Sequence, residues 1–237
     1  MNLKQRVQSI ENEIKQTLVC AGSKSDKAQI VCVTKYAEIE AVIEIIKLGY
    51  YDIAENYLQE VNRKILLLKK ALSPEQIARI NWHFIGHLQR NKAADVIKFA
   101  QLIQSVDSLR LARRIDQIAA KENIAVNILV QVNISAEESK FGISFSAAEK
   151  LVKEILKLPN INILGLMGIG PLVEDPEDSR PGFKRLKLFF DKINQDLSET
   201  EYPLMSVLSM GMSNDYKIAV QEGSTMVRIG SAIFKGE

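Results

Sequence analysis

Only two cysteines and two histidines occur in 237 residues. Cys20 and Cys32 have neither disulfide nor metal-site spacing, and Cys32, inside an apolar run, is expected to be a small core residue. Two histidines alone fall short of a zinc ligand set, so no metal is expected. An excess of charge is missing too. Lys and Arg number 31 against 29 Asp and Glu, a formal net charge of +2. Such a balance offers no basic face for nucleic acid or a membrane surface. No apolar run approaches the length of a membrane span, and the opening MNLKQRVQSI lacks an apolar signal core. The expectation is a cytoplasmic, unprocessed monomer with neither nucleic-acid nor membrane partners. Repeats, low-complexity stretches and linkers are also absent, so residues 1–237 are expected to form a single domain.

What is present is a regular alternation. A helix-period pattern over Leu3 to Val19 comes first, with apolar residues at Leu3, Val7, Ile10, Ile14 and Leu18. Strands are expected at Gln29 to Thr34, Tyr51 to Ala54, Ile80 to Ile85, Leu102 to Val106, Ala125 to Ile134, Ile161 to Met167, Met205 to Leu208 and Thr225 to Ile229. Helices separate them, among them Tyr57 to Leu72, Leu88 to Phe99, and a helix to Leu158 opened by a capping box of Ser146 and Glu149. A polar turn is expected at Gly22 to Lys27, a loop holding Lys140, Phe141 and Gly142 after the fifth strand, and a long loop from Gly168 to Gly182 after the sixth. Eight βα units in about this length predict an α/β fold, a (β/α)8 TIM barrel with an extra N-terminal helix. A doubly wound open sheet is the alternative, since periodicity does not tell closure from an open edge.

In such a barrel the C-terminal ends of the strands form the working face. Lys35 ends the first run, Asn56 follows the second, and His83, Phe84 and Ile85 finish the third. Asp107 follows the fourth, Asn133 ends the fifth, and Met167 with Gly168 ends the sixth. Ser209 to Ser213 follow the seventh, and Arg228, Gly230 and Ser231 end the eighth. All are expected to face one mouth. One Gly/Ser loop is ordinarily a turn. Two of them, after strands seven and eight where barrels bind phosphate, favour a phosphate seat with free N–H and O–H groups. Lys35 is either a solvated surface charge or, behind a strand buried on both faces, a desolvated amine. Desolvation would lower its pKa from ~10.4 and free it to condense with an aldehyde. A phosphate seat with such a lysine suits pyridoxal phosphate or an aldolase-type sugar phosphate.

Several long motifs stand in order: VTKY around Lys35, AENYLQEV from Ala54, WHFIGHLQRNK from Trp82, VNISAEESKFGI from Val132, GLMGIGP from Gly165, then SMGMSNDY and STMVRIGSAIF. With these the chain resembles the YggS/PROSC family of pyridoxal-phosphate-binding homeostasis proteins, from about Ile30 to Phe234. That family shares the barrel of alanine racemase's N-terminal domain. The resemblance implies that Lys35 carries pyridoxal 5′-phosphate as a Schiff base, with Asn56 beside the cofactor ring and His83 near it. It places Ser213, the Gly230–Ser231 backbone and Ser209 at the phosphate, Met212 and Met167 in the walls, and Arg228 at the pyridine nitrogen. Departures from the family's usual residues are small: Ala54 for glycine, Thr34 for serine, Ser231 for threonine, and His87 for a proline or small residue.

Arginine only donates and stays protonated, so it cannot pass a proton to the ring nitrogen, and the ring is left a weak electron sink. Racemisation also needs a second acid/base, which in alanine racemase comes from a further domain of the partner subunit. The resemblance therefore implies a cofactor carrier or regulator without catalytic residues, with pyridoxal-phosphate-dependent apoenzymes as candidate recipients. An amino-acid racemase is the alternative. Met205, Met210 and Met226 are expected in the core, and Arg110, Arg113 and Arg114 on a solvated helix face. The acidic stretch Glu174 to Asp178 is either a lid or plain surface.

Overall fold

The computed structural model describes residues 1–22, 27–135, 141–170 and 173–235. Residues 23–26 of the expected polar turn lie outside the described residues, as do Lys140 and residues 171–172 of the loop after the sixth strand.

The strands are β1 Gln29–Val33, β2 Asp52–Glu55, β3 Asn81–Phe84, β4 Ala100–Val106, β5 Val126–Asn133, β6 Ile161–Ile169, β7 Val207–Ser209 and β8 Met226–Ile229. Each pairs in parallel with the next, and β8 pairs back onto β1, with Val31 opposite Arg228 and Cys32 opposite Ile229. The barrel is closed, which removes the open-sheet alternative. Helix α1 (Leu3–Cys20) precedes it, opened by Asn2 in a capping box with Gln5. Around the barrel run α2 Ile39–Lys47, α3 Leu58–Ala71, α4 Pro74–Ala78, α5 Ala93–Ile97, α6 Leu109–Glu122, α7 Phe145–Ile155, α8 Arg180–Ser198, α9 Tyr216–Gln221 and α10 Ser231–Phe234.

Side-chain alternation sorts each strand into two sets. Val31, Ala54, Leu102, Leu129, Met167 and Met226 cluster together inside the barrel. Their neighbours Cys32, Ile53, Ile103, Ile128, Leu166 and Val227 pack outward against the helices. The buried stripe of α1, Leu3, Val7, Ile10, Ile14 and Leu18, joins that outer layer beside α9 and α10.

Two local expectations are corrected. The helix expected from Leu88 to Phe99 is a 3-10 turn, Arg90–Lys92, followed by the short α5. The helix expected from Tyr57 to Leu72 ends where expected, and Ser73 then caps the additional α4 by accepting from the Gln76 N–H, with Pro74 at the first helical position, where its missing N–H leaves no donor unmet. The cap residue of α7 is Ser144, not Ser146. Ser146 bonds the Ser144 hydroxyl (3.0 Å), and Glu149 turns away to Lys153 (2.8 Å) and to Lys192 of α8 (2.7 Å).

Candidate functional site

An open pocket of about 620 Å³ lies at the C-terminal end of the strands, lined by Lys35, Asn56, Met167, Met212, Ser213, Arg228, Gly230 and Ser231. Of the residues that the resemblance assigns to the cofactor, all but His83 and Ser209 are in that lining, whereas Phe84 and Met210, also expected at the mouth, pack in the outer layer. Val33, Tyr36, Ala37, Ile85, Phe141, Ile169, Gly170, Asn214, Phe234 and Lys235 complete it. Most of these are apolar residues of the mouth, which no local sequence signal separates from ordinary core. A larger groove of about 950 Å³ shares Ser213 and Ser231 but lacks both Lys35 and Arg228. Asp175 and Glu177 border that groove rather than the pocket, and Glu177 is tied to Arg180 at 2.6 Å.

Lys35 stands in the turn just past β1, half-buried, with Nζ 5.1 Å from the centre of the Tyr36 ring. Lys235 Nζ lies 5.5 Å from the same ring. The fully buried lysine of this region is another one. Lys64 of α3 has its ammonium bonded to the Glu55 carboxylate and to the Thr34 carbonyl oxygen. Glu55 also accepts from the Thr34 hydroxyl (2.7 Å) and the Asn56 N–H (3.3 Å). That knot joins the ends of β1 and β2, directly before Lys35 and Asn56.

Asn56 presents a buried side-chain oxygen without a hydrogen-bond partner among the described residues. Its loop is seated against Gly86, where a Cβ would come 2.0 Å from the Asn56 carbonyl oxygen. Neither backbone can yield there without moving Asn56. Gly86→Ala is therefore expected to destabilise the fold by about 1–3 kcal/mol, as overpacking does, a loss that thermal unfolding of the variant measures.

Across the pocket, the loop after β7 is held from beneath. The Met212 N–H donates to Asp215 Oδ1 (2.6 Å), the Ser179 hydroxyl donates to Asp215 Oδ2 (3.1 Å), and Gly211 takes φ +91° with Ala219 close by. These contacts bring Ser213 to the loop after β8, where the N–H groups of Gly230 and Ala232 both donate to its Oγ at 3.2 Å. Arg228 faces the barrel interior and then the pocket. Its NH1 donates to Ser209 Oγ (2.7 Å) and its NH2 to the Gly168 carbonyl oxygen (2.9 Å). Burial pulls its pKa down to about 10, against the nearby charge of Asp215, so it remains a cation at neutral pH.

The two residues missing from the lining have other partners. Ser209 is buried, donates to Gln104 Oε1 (2.7 Å) and accepts from Arg228, which keeps it out of the pocket lining where Ser213 stands. His83 points inside the barrel, with Nε2 3.1 Å from Asp52 Oδ1 and Nδ1 3.0 Å from Gln104 Nε2. His87, its neighbour in sequence, stacks on Phe141 at 4.3 Å, so the two imidazoles diverge.

Several known proteins are similar to this chain along nearly its whole length. The family model for the alanine racemase N-terminal domain matches residues 5–237. A pyridoxal phosphate homeostasis protein of Aquifex aeolicus is 35% identical over 234 residues, covering 99% of this chain and 98% of that one. Among solved structures, a protein of unknown function from Bifidobacterium adolescentis superposes with TM-score 0.88 at 34% identity, over 98% of this chain and 94% of that one. PipY of Synechococcus elongatus, solved with PLP bound, gives TM-score 0.77 at 28% identity, over 93% of this chain and 99% of its own.

Proposed function

The chain belongs to the family of pyridoxal phosphate homeostasis proteins, built on the alanine racemase N-terminal domain, and from that premise we propose that it binds pyridoxal 5′-phosphate to hold and hand over the cofactor. The observation that carries the proposal is the convergence of an amine, a hydroxyl with two backbone N–H groups, and a buried guanidinium on one pocket. The unpartnered Asn56 oxygen fits a polar ligand there, since a buried acceptor without a donor is otherwise unfavourable. When bound, the cofactor supplies an aldehyde that condenses with a primary amine, and a ring that withdraws electrons.

Lys35 would provide the amine. Ser213, with the Gly230 and Ser231 backbone, would take the phosphate, and the apolar side chains of Met167 and Met212 would wall the ring. Arg228 would donate to the ring nitrogen. Being a donor only, it leaves that nitrogen without a proton and weakens electron withdrawal. Such a site retains its cofactor without strongly activating a substrate, which supports a carrier over a racemase. Among the described lining residues the other ionisable groups are Tyr36 and Lys235, and the Tyr36 ring stands beside Lys35.

The test is the visible spectrum of the purified protein with added pyridoxal phosphate, before and after borohydride. A yellow protein that retains the cofactor covalently after reduction is expected, together with no racemisation across a panel of L-amino acids. A protein that stays colourless would end the proposal. Turnover of any one amino acid would move it to the racemase class.

A further inference from the structure

A chain of hydrogen bonds crosses the barrel interior from the start of β2 to the pocket. It joins Asp52, His83, Gln104, Ser209 and Arg228 with links of 3.1, 3.0, 2.7 and 2.7 Å. All five occupy inward-facing positions, in register with Ala54, Leu102, Val207 and Met226 of the inner cluster. Its two ends fix its direction. Arg228 can only donate, and Asp52, whose carboxyl is held below its usual range despite burial by bonds from His83, Gln29 and Asn81, can only accept. Ser209 therefore accepts from Arg228 and gives its single proton to Gln104 Oε1. The Gln104 amide must then present Nε2 to His83, which places the imidazole proton on Nε2, toward Asp52. Each intermediate group could point either way alone, and only one arrangement satisfies all of them.

We propose that Gln104 and His83 are positioning residues for the cofactor's ring nitrogen, acting through Ser209 to aim the Arg228 guanidinium; the proposal rests on the pyridoxal phosphate reading of the pocket. With NH1 locked on Ser209 and NH2 on the Gly168 carbonyl, the guanidinium has no rotational choice left. A donor fixed in advance meets the ring nitrogen without reorganisation. Val31, Leu102, Leu129, Met167 and Met226 of the inner cluster are apolar neighbours of these positions, so a broken link leaves unmet polar groups rather than new water contacts.

The experiment uses Gln104→Met, Ser209→Ala and their double variant, loaded with pyridoxal phosphate carrying ¹⁵N in the ring. Readouts are the ring-nitrogen resonance, the cofactor Kd, and thermal unfolding without cofactor. Gln104→Met is expected to keep borohydride-fixable cofactor while shifting the resonance and raising Kd about tenfold, the loss of roughly one hydrogen bond to a charged group. Ser209→Ala should give the same shift. The double variant should add little to either, because links in series fail together. His83→Gln, a milder break in the chain, should move the resonance the same way and serves if Gln104→Met does not fold. Variants with wild-type resonance and Kd, changed only in unfolding temperature, overturn the proposal while leaving the pocket reading intact. A wild-type protein that takes up no cofactor overturns both.

Discussion

Replacing Lys35 by alanine is expected to leave a folded, colourless protein. The side chain makes no hydrogen bond to any described residue, and its ammonium stands 5.1 Å from the centre of the Tyr36 ring. Removing a half-exposed side chain of that kind changes stability by about 0.5 kcal/mol or less, so loss of colour cannot be ascribed to unfolding. The variant should show no visible band with pyridoxal phosphate and fix none of it with borohydride, against stoichiometric fixation by the wild type. Lys35→Arg should behave alike, since a guanidinium keeps the charge without offering a condensable amine. Residual noncovalent binding through the Ser213 and Arg228 side of the pocket is expected in both, visible as quenching of intrinsic fluorescence. Stoichiometric fixation by Lys35→Ala would move the attachment point to another lysine, and Lys235 is the other lysine among the described residues that line the pocket.

The second large effect is on stability. Lys64→Met strands the Glu55 carboxylate in the dry layer between barrel and α3, where both partners are fully buried. Removing one member of a buried pair typically destabilises by about 3–5 kcal/mol. For a chain of this size that lowers Tm by roughly 6–20 °C. Thr34 and Asn56 still donate to Glu55, but two neutral donors do not replace an ammonium. Changing both partners, Lys64→Met with Glu55→Gln, removes both charges and should recover most of the loss. A single variant melting within a degree or two of the wild type would show that the pair does not hold β1 to β2. Cofactor affinity should fall with the single change as well, because Thr34 and Glu55 immediately precede Lys35 and Asn56.

Much of this protein was legible in its residues, and the parts that were not share a cause. Alternating βα units, the turn chemistry after strands seven and eight, and Lys35 at the end of a β-branched run are local signals, and every strand boundary landed within two residues. Closure of the sheet was not local, because pairing of β8 with β1 joins residues nearly the whole chain apart. The facing of polar residues inside the strands was hidden too. A strand buried on both faces shows no contrast between its sides, so His83 and Ser209 could be placed at the mouth by position while their partners, Asp52 and Gln104, went unnoticed. Gln104 itself carried one hint, a long polar amide beside Ser105 within the strand LIQSV, two residues on from Leu102 of the inner cluster.

The sequence by itself determined the order of elements, the end of the barrel that works, and the amine and Gly/Ser loops that meet there, because strand propensity, turns and caps act over a few residues. Tertiary structure alone decided that Lys64 neutralises Glu55, that Ser209 bonds Arg228 and Gln104, and that a single directed chain of bonds reaches from Asp52 to the pocket. A buried polar group must find a partner somewhere in the fold, and only the closed barrel determines where.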